Sequence, residues 1–122
     1  IQSFVERDAI LPQYFDTPYW LEPDESAAKP YLLLRQALER SGRVAIAKVV
    51  IRVREHLAAL LPQDGALLLN TLRFHDEVVP GEAHRPAARG AKSAAPSSRE
   101  LTMALKLVDE MTDTWHPEAF HD

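Results

Sequence analysis

Cysteine is absent from the 122 residues. That excludes disulfides, thiolate zinc sites and cysteine nucleophiles, and it suits a cytoplasmic protein. Glycine is scarce, and Gly42, Gly65, Gly81 and Gly90 are scattered, so no phosphate-cradling glycine loop exists. No apolar run approaches the roughly 20 residues of a membrane helix. The opening Ile1-Gln2-Ser3-Phe4 is half-polar, unlike a secretory signal, and there is no initiator Met, so a fragment of a longer chain is expected. No serine occupies a Gly-x-Ser-x-Gly elbow. Five histidines are present, none in a helical i, i+4 pair with a nearby Glu. His75-Asp76-Glu77 comes nearest to a metal cluster, but successive strand residues point to opposite faces. Catalytic residues, metal ligands and cofactors are therefore not expected, and the chain reads as a non-enzyme. A hydrolase built on the His, Asp and Glu residues is the weakest alternative.

What is present is a globular composition, 46% hydrophobic, in a chain of single-domain length. The formal net charge of −4 argues mildly against a nucleic-acid partner. Its distribution argues otherwise. Residues 1–26 carry six acids and one base, whereas residues 29–54 carry seven bases (Lys29, Arg35, Arg40, Arg43, Lys48, Arg52, Arg54) and one acid, Glu39. The stretch from Glu100 to Asp122 turns acidic again. A basic centre can be either a solvated face or a phosphate-binding one.

Periodicity predicts short strands at Ile1–Glu6 and Pro18–Glu22, with Pro12 and Pro18 bracketing a turn. Pro30 fits only a first helical turn, so a helix is expected from Ala27 or Ala28 to Ser41. Its buried stripe would be Tyr31, Leu34 and Leu38, widened by Leu33 and Ala37, with Arg35, Glu39 and Arg40 on the wet side. Gly42 stands where a left-handed cap belongs. From Arg43 to Arg54 the period becomes two. Ala45, Ala47, Val49, Ile51 and Val53 fall on one face, and Lys48, Arg52 and Arg54 on the other. Leu57–Leu61 is a further short strand, Pro62–Gly65 a turn marked by Asp-Gly, and Ala66–Phe74 a returning strand covered on both faces. Residues 79–97, rich in Pro, Ala and Ser, read as an exposed connection. Ser97 and Glu100 form a capping box, whose loss costs about 1 kcal/mol, ahead of helically spaced Leu101, Ala104, Leu105, Val108 and Met111. The tail from Trp115 is aromatic and acidic. The strands do not close on themselves, and open edges call for more chain or a partner.

Four segments together resemble the bacterial Ku family. They are Tyr14-Phe15-Asp16-Thr17-Pro18-Tyr19-Trp20-Leu21-Glu22-Pro23-Asp24, Arg54-Glu55-His56-Leu57-Ala58-Ala59-Leu60, Leu67-Leu68-Leu69-Asn70-Thr71-Leu72-Arg73 with Asp76-Glu77-Val78, and Trp115-His116-Pro117 with Phe120-His121-Asp122. The resemblance implies the carboxyl-terminal half of the Ku core. The fold class would be α+β, an antiparallel β-barrel, partial here, with a packed helix and a helical carboxyl-terminal arm. It would divide into a partial barrel at 1–78 with its helix near 28–41, the exposed connection at 79–97, and the arm and tail at 98–122. The resemblance also implies a homodimeric ring that binds ends of double-stranded DNA without sequence specificity. That ring would recruit an ATP-dependent DNA ligase in non-homologous end joining, with no membrane partner, in the cytoplasm near the nucleoid. The family's amino-terminal barrel strands and bridge, and its basic tail, do not appear in this chain. The expected phosphate contacts are Lys48, Arg52, Arg54 and Arg73. The alternative is a protein-interaction module that recruits the ligase or a repair partner without touching DNA.

Overall fold

The computed structural model describes residues 1–84 and 95–121. It divides into two compact units, Ile1–Pro80 and Gly81–Asp122. Most of the expected connection at 79–97 lies outside the described residues.

The first unit is a five-stranded antiparallel sheet with one helix. Its strands are β1 (Ser3–Glu6), β2 (Phe15–Leu21), β3 (Arg43–Ile51), β4 (Arg54–Gln63) and β5 (Ala66–Leu72), in the order β1-β3-β4-β5-β2. β1 and β2 are its edges, so the sheet is open. The helix, α1, runs Ala28–Ser41. Gly42 ends it at φ 68°, its N–H bonding the Leu38 carbonyl at 3.0 Å. That conformation costs glycine nothing, for want of a Cβ.

Register decides what each face does, because opposed residues of antiparallel strands share a face. Ala45↔Leu60↔Leu69 and Ala47↔Ala58↔Thr71 lie on the helix-covered face. There Leu38, Ala45, Ala58, Leu60, Leu67 and Leu69 form one core, with Tyr31, Leu34 and Val49 against it. Ala45 and Ala58 have no exposed surface, and such small side chains let the helix approach the sheet closely. The opposite face carries a second core of Val44, Ala59, Leu61 and Leu72, flanked by Val5, Ile10, Phe15 and Leu57.

The helix stripe is narrower than expected. Leu38 is buried and Tyr31 and Leu34 half-buried, but Leu33 and Ala37 are exposed. A helix turns 100° per residue, which carries these two past the contact edge. Arg35, assigned to the wet side, instead reaches back to the sheet and donates to the Gly65 carbonyl. The returning strand is also less covered than expected: Leu68 and Asn70 are only half-buried on the second face.

The second unit holds α2 (Ser98–Met111), which buries none of its residues. The Ser97 hydroxyl accepts the Glu100 N–H at 3.1 Å, and the Glu100 carboxylate accepts the Ser97 N–H at 3.0 Å. After it, Trp115 and Phe120 stack with ring centroids 5.8 Å apart. Among the described residues, no helix is long and apolar enough to cross a membrane.

Candidate nucleic-acid interface

The alternating pattern that placed Lys48, Arg52 and Arg54 on one face breaks at Ile51. Arg52 and Val53 are not strand residues but the two central residues of a tight turn, with φ of 51° and 60°. The turn closes on the pair Ile51↔Arg54, which returns Arg54 to the helix-covered face. Lys48 lies on the opposite one, opposed to Leu57. The three cations thus do not share a face. Positive φ at both central positions matches the twist of a two-residue hairpin. Neither Arg nor Val announces such a turn, so the sequence pattern ran straight through it. The Asp64-Gly65 turn has the same geometry, φ 49° and 76°, with residues that do announce it.

The four expected contacts differ in how far they are already engaged. The Lys48 ammonium lies 3.6 Å from the Glu55 carboxylate, its diagonal neighbour across the β3–β4 ladder. Such an exposed pair contributes little stability. Arg73 is held much more firmly. One guanidinium nitrogen donates to the Gln13 carbonyl at 3.1 Å and to the Phe15 carbonyl, and the other lies 3.5 Å from the Asp16 carboxylate. With the Arg73 N–H bonding the Tyr14 carbonyl at 2.7 Å, this residue clamps the start of β2 to the end of β5. Tyr14 and His75 add a side-chain hydrogen bond of 3.1 Å at the same place. Arg52 and Arg54 have no ion pair or side-chain hydrogen bond with the described residues, and both are exposed. Of the four expected contacts, these two have no direct partner among the described residues.

Arg54 and Arg73 do come together, on one open groove of about 350 Å³ that His56 and Phe74 also line. Asp16, Glu55, Asp76 and Glu77 share the groove, so four carboxylates offset its two guanidinium groups. A polyanion gains little there. Arg52, at the hairpin tip, does not line this acid-bearing groove. Among the described residues no three His, Asp or Glu side chains converge as a metal site.

The comparisons with known proteins converge on one family. The Ku70/Ku80 beta-barrel domain model matches residues 1–103. The chain belongs to this Ku family. It is 49% identical to the non-homologous end joining protein Ku of Cupriavidus necator, over all of this chain and 36% of that protein. It is 45% identical to the protein of the same name from Opitutus terrae, over all of this chain and 43% of that protein. Against that of Pseudomonas aeruginosa, identity is 43%, over all of this chain and 41% of the relative. The Ku segment thus spans about two fifths of these relatives' length.

Proposed function

We propose that this segment works within a Ku protein of non-homologous end joining. In this reading it is a non-enzymatic module that binds ends of double-stranded DNA without reading sequence, acts as a dimeric ring, and helps to recruit an ATP-dependent DNA ligase. The observation that carries it is continuous similarity, over the whole chain, to relatives named for non-homologous end joining. The geometry is compatible in three ways. The sheet is open at β1 and β2, as expected if further strands complete a barrel of the Ku core type. The β3–β4 turn presents two cations without partners among the described residues, which suits phosphate contact and carries no base-reading constellation. α2 exposes Leu101, Leu105, Val108 and Met111, which fall on one side of the helix as an apolar surface suited to a second subunit.

The second reading, a protein-interaction module without DNA contact, is favoured by that same apolar helix and by the acidic, aromatic tail. Titrating the complete polypeptide against a linear duplex and a covalently closed circle of the same sequence, at two salt concentrations, separates the two. Tight binding to the linear form alone supports a ring threaded from an end. Equal binding to both removes end recognition. Binding to neither, with ligase still captured, leaves the interaction module.

A further inference from the structure

The β3–β4 hairpin extends beyond its neighbours. β1 pairs with β3 only over Arg43–Ile46, and β5 pairs with β4 only over Leu57–Gln63. Among the described residues, 49–56 therefore form a two-stranded ribbon with no strand laddered to either side. Its tip breaks two local rules at once. A β-branched residue, Val53, sits at φ 60°, a region that such side chains adopt only under strain. The same side chain is 98% exposed, so packing gives no reason for it. Glycine or asparagine would fill the position without strain. Strain held at an exposed position is a mark of a side chain kept for contact. Arg52 and Arg54 flank it, exposed and without partners among the described residues, and Val50, further down the ribbon, is 71% exposed.

We propose that this ribbon is a wedge for the minor groove of duplex DNA, with Val53 entering the groove and Arg52 and Arg54 meeting the phosphates on its rims. The inference rests on the DNA-binding reading above and adds the groove and the residue. Charge complementarity selects the occupant: an apolar tip between two arginines without ion pairs among the described residues, with the adjacent Glu55 held by Lys48 and Asp16 by Arg73, fits an uncharged floor between two anionic walls. The minor groove, about 6 Å wide, is such a surface. Apolar wedges set among cations are a general means of engaging it without sequence reading.

The test uses the complete polypeptide with Val53→Gly and, separately, Val53→Asn. Both keep the two arginines and both suit the turn, so each variant is expected to melt at or above the parent's temperature. Each is expected to bind linear duplex about tenfold more weakly, as for removal of one largely buried aliphatic side chain. The slope of affinity against salt should stay unchanged, because both phosphate-facing arginines remain. Netropsin, which fills the minor groove of A·T tracts, should weaken the parent on an A·T-rich duplex by a larger factor than it weakens the variants. Variants that bind like the parent, or a parent indifferent to netropsin, overturn the wedge while the DNA-binding reading stands. A parent that binds no duplex overturns both.

Discussion

Tyr31 closes the β2–β5 ladder with one atom. Its hydroxyl donates to the Leu21 carbonyl and accepts the Leu67 N–H, each at 2.8 Å, and Leu21 and Leu67 are register partners. Tyr31→Phe would leave a carbonyl and an N–H unpaired in a half-buried setting. The expected cost is about 1–3 kcal/mol, read from the urea midpoint at unchanged slope. Arg73 makes a related argument with charge. Its fork spans two carbonyls and a carboxylate, which an ammonium cannot reproduce. Arg73→Lys should therefore lose about 1–2 kcal/mol of stability while keeping the positive charge. If Arg73 serves chiefly as a phosphate contact, Arg73→Lys will instead melt like the parent and alter only DNA affinity.

Among the elements, α2 begins at a capping box whose acid is tuned by it. The Ser97 backbone N–H, and then its hydroxyl, hold the Glu100 carboxyl below its ordinary 4.5. A carboxylate favoured in the folded helix start stabilises it fully above the ordinary value, and this support is lost as pH falls through the lowered folded value. The Glu100 carboxyl carbon shift should accordingly titrate below 4.5, and Ser97→Ala should move that midpoint upward. An unmoved midpoint would show that the box does not persist in solution. This cap was legible because its two partners are three residues apart, as were Gly42 after α1 and Asp64-Gly65 between β4 and β5. All three signals are local. The Arg52-Val53 turn was illegible because its residues contradict its backbone. Arg73's role was illegible for another reason: it depends on β2 lying beside β5, a pairing between segments some fifty residues apart. The order of the sheet and the retreat of Leu33 and Ala37 from the core depend on the same long-range packing.

At the scale of the whole molecule, the net charge of −4 must be reconciled with the polyanionic partner proposed above. Free charge, not total charge, is the quantity that matters. Arg35, Arg43, Lys48 and Arg73 each lie within 4.0 Å of a carboxylate, and Arg73 shares its groove with three further acids. A cation already neutralised within the protein releases few counterions when DNA arrives. Arg52 and Arg54 are the exception among the expected contacts in having no carboxylate within ion-pair distance among the described residues, although Arg54 lines the same groove as Arg73. Reversing both, Arg52→Glu with Arg54→Glu, should weaken duplex binding by the complete polypeptide equally for all sequences. It should also flatten the log–log salt dependence by about 2, near 0.9 for each phosphate no longer neutralised. Lys48→Gln should flatten it by much less, because Glu55 already offsets that charge. Fluorescence anisotropy across a series of salt concentrations measures both slopes. If the double reversal keeps the parental slope, the hairpin does not carry the phosphate contacts. The electrostatic surface must then be sought outside the β3–β4 ribbon, with the chain's membership of the Ku family unaffected.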